Sequence, residues 1–288
     1  MIICICPLGA MLPDIPTSEC PVNFGQIQKI IIQRKGQPTG GDPTLLATWT
    51  ALMAAIDDTK AVISPFISAP VLEPGAEKTY GGGNATIGGI PLVIGRDPSK
   101  FTSELLMASQ ETIKALKDIQ CDSIQVYLVN EVGQIGCLLD PITGLYKGIP
   151  VRSFFVGDLK LGGFEEPDKN VLQFYFEPNW SDDFLAVVPS DFDALTIRNP
   201  YLTVTPEKLT AVKEGEIIDV AINSNTAWTV TLQHDWITVG EDSGTGTDTI
   251  EINVESNGTA PARTNVVTVT AGNIVRTFTI SQAGTPGA

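Results

Sequence analysis

The sequence predicts two folds in one chain. Residues 1–199 read as an α+β region, an antiparallel sheet or β-barrel carrying two helices. Residues 200–288 read as an all-β immunoglobulin-like sandwich. Three observations carry this. The 288 residues include 27 glycines and 20 prolines, which suits many turns and short strands better than a helix bundle. Hydrophobic content is 43%, enough for a buried core, and the length suits two domains. Strand-like and helix-like stretches mix before Asn199-Pro200, whereas every segment after it is strand-like and threonine-rich.

In chain order, Gly25 to Lys35 (GQIQKIIIQRK) reads as an isoleucine-rich strand. A helix should follow, with Asp42 as N-cap and Pro43 at its first position. Leu45, Trp49, Leu52 and Ile56 repeat there at helical spacing, beside Leu46 and Met53. A second helix is predicted over Thr102 to Ile119, with Leu105, Leu106, Ile113 and Leu116 as its apolar stripe. Further strands are predicted at Lys60–Pro70, Ile90–Arg96, Ser123–Val129, Gly133–Leu139, Pro150–Val156, Val171–Phe176 and Phe184–Val188. Aromatics on both faces of NVLQFYFE suggest a strand covered on both sides. After Pro200, seven strands are predicted: Tyr201–Thr205, Glu216–Asn223, Trp228–Leu232, Ile237–Val239, Asp248–Val254, Arg263–Ala271 and Ile274–Gln282. Seven short strands spaced by turn signals make a sandwich.

Charge narrows the partners. The net charge is −15. Residues 1–199 carry 14 basic and 23 acidic side chains, and residues 200–288 carry 4 and 10. Neither part has a basic patch, which argues against tight binding to a phosphate backbone. The N-terminal MIICICPLGAML has no Lys or Arg ahead of its apolar run, and Pro7 breaks it, so it makes a poor signal peptide. No stretch approaches the ~20 apolar residues of a membrane helix. Five cysteines without regular spacing (Cys4, Cys6, Cys20, Cys121, Cys137) argue for reduced thiols and against a disulfide framework.

The search for chemistry finds no catalytic set and no cofactor or metal motif. The single histidine, His234, has no marked nucleophile. The run Tyr80-Gly81-Gly82-Gly83-Asn84 lacks the Gly-Lys-Ser/Thr ending of a phosphate loop and reads as a loop between strands, of the kind that serves as a subunit contact. The acidic clusters at Asp57-Asp58, Glu165 to Asp168, Asp182-Asp183 and Asp191 to Asp193 match no calcium loop and read as solvated loop charge. Trp228 and Trp236 stand in an otherwise polar stretch. Two readings are open: sandwich core, or an aromatic platform for stacking carbohydrate.

The second region resembles the BACON family, immunoglobulin-like modules of Bacteroidetes proteins and their phages. The residues that carry this are Trp228-Thr-Val-Thr, Asp235-Trp236-Ile-Thr-Val and Gly244-Thr-Gly-Thr, then Asn253-Val254 and Arg263-Thr264. Val267-Thr-Val-Thr-Ala-Gly272 and the ending Arg276-Thr-Phe-Thr-Ile-Ser-Gln-Ala-Gly284 complete the set. The resemblance implies that both tryptophans belong to the framework, and it implies adhesion to host or mucin glycans.

The first region resembles tailed-bacteriophage tail tube proteins. The passages concerned are Val151-Arg-Ser-Phe-Phe-Val-Gly-Asp158, Gly162-Gly-Phe-Glu-Glu-Pro-Asp168 and Pro178-Asn-Trp-Ser-Asp-Asp183, together with an early strand, a helix beside a twisted sheet and long loops. The resemblance implies a virion protein assembled in the host cytoplasm. It implies stacked rings of this chain, commonly hexamers, bound to other tail proteins, with DNA passing through unbound. Lys78, Tyr80, Gly82 and Asn84 would then lie in a loop that clasps the next ring. Another virion role (capsid decoration or head fibre) and a carbohydrate-binding surface protein of a Bacteroidetes cell share most of these features. A glycoside hydrolase fits least, because residues 1–199 hold no histidine.

Overall fold

The computed structural model describes residues 23–258 and 261–284. Its first part runs β1 (Ile27–Arg34), α1 (Leu46–Ala54), β2 (Ala61–Ile63), β3 (Ser68–Glu73), β4 (Glu77–Tyr80), β5 (Leu92–Arg96), β6 (Ser99–Leu106) and α2 (Gln110–Asp118). It continues with β7 (Ile124–Asn130), β8 (Ile135–Leu139), β9 (Tyr146–Lys147), β10 (Ile149–Val156), β11 (Lys169–Phe176) and β12 (Phe184–Val187). One edge of β7 pairs with all of β1, from Ile27 opposite Asn130 to Arg34 opposite Ile124. Its other edge is shared between β8 and β10. From β10 the sheet continues through β11 and β6 to β3, all antiparallel. The stretch 61–73 returns it to the start: β2 pairs with β1, and the Ile67 amide donates to the Gln28 carbonyl at 2.8 Å. The sheet therefore curls into a barrel.

Alternation along the strands fills that barrel. Ile30, Ile32, Phe101, Leu105, Val126, Leu128, Leu172, Phe174 and Phe176 point inside, with Phe101 stacked on Phe174 at 4.7 Å. The opposite face of β1 and β7 is buried too. There Ile31, Tyr127 and Val129 meet Trp49, Leu52 and Met53 of α1, Ile135 and Cys137 of β8, and Val187 of β12. Burial pushes the Cys137 thiol up to about 12, so it is an inert part of this layer.

The structure corrects several expectations. Thr102–Leu106 is strand, not helix. Phe101, Ser103 and Leu105 are buried in alternation, and β6 pairs with β11 over its whole length, so tertiary pairing overrides local propensity. α2 starts only at Gln110, where the Ser109 hydroxyl accepts from the Thr112 amide at 3.1 Å. Asp42 does not cap α1 either. Its carboxylate accepts from the Thr44 amide and hydroxyl in the preceding turn. The Leu46 amide instead donates to Asp191, 145 residues away, at 2.8 Å. Ile56 lies beyond the helix and is exposed. Lys60–Pro70 is split by a bend into β2 and β3. β11 is buried on one face and half-buried on the other, so its covering is one-sided in degree.

The second part is all β: β13 (Leu202–Thr205), β14 (Lys208–Ala211), β15 (Glu216–Ser224), β16 (Ala227–Thr231), β17 (Ile237–Val239), β18 (Ser243–Thr245), β19 (Asp248–Val254), β20 (Arg263–Ala271) and β21 (Ile274–Gln282). A sheet of order β13-β15-β19-β17 packs on one of order β14-β21-β20-β16-β18. Every predicted strand is present. β14 and β18, which were not foreseen, are short additions, β14 pairing in parallel with β21. Val220, Ile222, Ile250 and Ile252 from one sheet meet Trp228, Val267, Val269, Phe278 and Ile280 from the other. Trp228 is 1% exposed. Its indole nitrogen donates to the Gly246 carbonyl at 3.0 Å, and a side chain at Gly244 would run into its ring. Trp236 is only partly covered, with the Arg263 guanidinium 4.1 Å from its ring centroid.

Asp191→Ala should cost about 1 kcal/mol in chemical unfolding, as loss of a helix cap does, while Asp42→Ala should leave α1 intact. An equal or larger loss from Asp42→Ala would reverse that assignment. Trp228→Ala should cost about 3–5 kcal/mol by cavity formation. Trp236→Ala should cost less, since it loses an exposed cation–π contact of about 0.5–1 kcal/mol and partial packing. Equal denaturant midpoints for the two variants would contradict this division.

Candidate functional site

The feature least explained by folding is the hairpin formed by β4 and β5. Among the described residues these two strands pair only with each other, from Glu77 opposite Arg96 to Tyr80 opposite Leu92. The base is held by the Asp97 amide donating to the Ala76 carbonyl at 2.8 Å and by Lys78 against Asp97 at 3.0 Å. The tip is built of glycines. Gly81, Gly82, Gly83, Gly88 and Gly89 all have positive φ, a conformation that favours glycine. Thr86 ties the tip, accepting from the Gly82 amide at 3.0 Å and donating to the Ile90 carbonyl at 2.7 Å.

This arm is apolar and uncovered. Ile87 is fully exposed, and Tyr80, Ile90, Leu92, Val93 and Ile94 are each more than half exposed. An isolated two-stranded hairpin is marginal in water, and clustered exposed apolar residues mark an interaction surface. Of the residues singled out in the sequence, Lys78 braces the base, Tyr80 ends β4, and Gly82 and Asn84 sit at the tip. The apolar group Ile87, Ile90 and Leu92 to Ile94 is the larger part of the surface. Its signal was the run Ile90-Pro-Leu-Val-Ile94, an apolar strand beside a glycine cluster with no alternation to give it a wet face. A second free rim lies at β12, which pairs only with β8 among the described residues.

The remaining candidate groups hold the fold. Asp57 accepts from Thr59, Asp193 from the Leu195 amide at 2.9 Å, and Asp168 from the Gly162 amide at 3.0 Å. Glu166 pairs with Lys169 at 3.3 Å. His234 is exposed between β16 and β17. Among the described residues, no group of three or more His, Cys, Asp or Glu side chains is placed to hold a metal ion; Cys4, Cys6 and Cys20 lie outside the described residues. No helix of the described residues is long and apolar enough to cross a membrane. Trp228 is closed inside the sandwich, and Arg263 lies over the Trp236 ring.

Comparison with curated proteins finds no match. Among solved structures, the chain is similar to a Bacteroides ovatus GH5 xyloglucanase in complex with a XXXG heptasaccharide, at 24% identity and TM-score 0.28. That likeness covers 31% of this chain and 20% of the xyloglucanase, so the chain spans a fifth of that protein's length. A protein from Bacteroides thetaiotaomicron solved by NMR is similar at 18% identity and TM-score 0.22, covering 31% of this chain and 89% of that one. Domains 4 and 5 of the S-layer protein SbsC are similar at 13% identity and TM-score 0.24, covering 76% and 99%. At these TM-scores the likenesses carry no argument. Residues 201–285 match the family model of the viral BACON domain.

Proposed function

We propose that the chain is a structural virion protein of a tailed phage, the tail tube subunit, which closes into rings by joining sheet edges and locks ring to ring through the β4–β5 arm. The observation that carries this reading is the arm itself: a glycine-tipped hairpin with Ile87, Ile90 and Leu92 to Ile94 uncovered. It extends from a barrel whose core is complete without it, on a chain with a viral module. A monomer that kept this surface in water would gain nothing from it, whereas a neighbouring copy would bury it. The free rim of β12 supplies an edge for lateral joining. With 15 net negative charges and no basic run, a ring of such chains repels DNA phosphates, so a genome passes without binding. The sandwich is then an outward module, repeated once per subunit, and weak contacts to glycans would multiply over many copies.

Electron microscopy and native mass spectrometry of the purified chain should show rings, stacked into tubes at higher concentration. Ile87→Asp together with Ile94→Asp should abolish stacking while leaving the unfolding midpoint unchanged. A monodisperse monomer at every concentration, or tubes that survive both substitutions, would remove this reading.

A further inference from the structure

The arm joins the near ends of β3 and β6. The chain departs into it after Glu73, opposite Lys100, while Ser68 opposite Glu104 marks the far ends of the same two strands. The two ends are separated by the length of a six- to eight-residue strand, about 20–25 Å. A cavity of about 610 Å³ opens at the far end, between the chain that enters β3 and the helix that follows β6. Val62, Ile63 and Phe66, ahead of β3, and Leu116 of α2 line it, together with Ile197. Phe66 is 56% exposed although it forms part of this wall.

The charges around the cavity are met within the chain. Lys29 is 5% exposed, and its ammonium donates to the carbonyls of Leu195 at 2.6 Å and Ile197 at 3.3 Å. Burial and then Arg198 lower its pKa, and the Asp193 carboxylate beside it raises it. With Glu111 on the wall, two acids stand against the two cations, so an occupant needs no charge of its own. The arm meets that condition. No Asp, Glu, Lys or Arg occurs from Thr79 to Gly95. At the tip Ile87 is fully exposed and Ile90 is 70% exposed. The Thr86 hydroxyl already holds the tip by its bonds to Gly82 and Ile90, which reduces the ordering cost of docking. A second apolar hollow, about 260 Å³, shares Leu72 and Trp180 with the hollow at the arm's own base, so it lies at the wrong end to receive the arm of a stacked copy.

We propose that the arm tip of one copy, residues 86–90, seats in this cavity of the next copy, with Ile87 and Ile90 against Phe66, Leu116 and Ile197. The assignment rests on the ring-to-ring reading above and names the acceptor that reading requires. Arm and acceptor lie at opposite ends of the barrel, so the contact is head-to-tail and does not close on itself. A stack built this way carries free arms at one end and empty cavities at the other.

Disulfide trapping in the full-length chain tests this. With Cys4, Cys6, Cys20 and Cys121 changed to Ser, Ile87→Cys is combined with Ala115→Cys on the cavity wall. Mild oxidation of assembled material should give a ladder of cross-linked chains on a non-reducing gel, with an interchain 87–115 disulfide found by peptide mapping. The control pair Ile87→Cys with Lys208→Cys should give none. Adding Ile90→Asp should lower the 87–115 yield about tenfold, the effect of losing one buried aliphatic side chain. Separately, Ala115→Trp, which fills the cavity, should leave single rings intact and stop their stacking. Should Ala115→Trp lower the unfolding midpoint, the disulfide decides alone. Tubes that form with no 87–115 link above the control, with an 87–87 link in its place, or with stacking unaffected by a stably folded Ala115→Trp would overturn this acceptor and leave the tube reading standing. A chain that forms no rings or tubes at all removes both.

Discussion

The pairing of β1 with β7, buried on both faces, is the constraint on which the first part of the molecule rests. Side chains along a strand alternate between faces, so a pair covered on both sides must be apolar throughout. Ile30, Ile32, Val126 and Leu128 serve the barrel interior, while Ile31, Tyr127 and Val129 serve the outer layer of α1, β8 and β12. Moving either strand by one residue would exchange these two sets, which fixes the register. Both neighbouring layers take their position from this pair.

The polar groups caught in the same pair are satisfied by specific partners. The Tyr127 hydroxyl and the Gln125 amide both donate to Gln33 Oε1, at 2.8 and 3.0 Å, and the Gln33 amide donates to the Thr59 carbonyl at 2.8 Å. A complete network of this kind holds one arrangement, since a half-made one would leave buried dipoles unpaired. Asn199 does similar work where the composition changes. Its side chain exchanges two hydrogen bonds with the Ile63 backbone, and its carbonyl accepts from Asn225. Asn199 therefore bonds to β2 on one side and to the loop after β15 on the other.

Against this economical interior, the exterior is unevenly managed. The sandwich, which matches the viral BACON model, turns threonines outward along β20 and β21 and closes its core around Trp228. The barrel leaves the rim of β12 open among the described residues and carries a hairpin on which Ile87, Ile90, Leu92, Val93 and Ile94 are exposed. Single exposed apolar residues are ordinary, but a cluster on one projecting element is not. That contrast between a covered module and one with an apolar arm exposed is what the assembly reading explains.

How much was legible in the sequence follows from the range of the interactions. In the second part the strands were readable because each buries one face, so period-two alternation is written directly into stretches such as Thr264 to Thr270. β14 and β18 escaped because three or four residues hold no period. In the first part, the strands that build the β1–β7 frame were legible as apolar runs, and α2 was legible in its later turns. Thr102 to Leu106 was misread because an apolar stretch that joins a helix carries no mark of where the strand stops; β11, some seventy residues later, decides it. The same holds for the α1 cap, where Asp42 has the right spacing and Asp191 has the right place. The amino-acid sequence by itself determined the alternation of the sandwich, the acidic balance and the glycine tip of the arm, because these are local properties. Only the tertiary structure decided that Trp228 is core, that the barrel closes through residues 61–73, and that the arm's isoleucines stand exposed, because each depends on residues far apart in the chain.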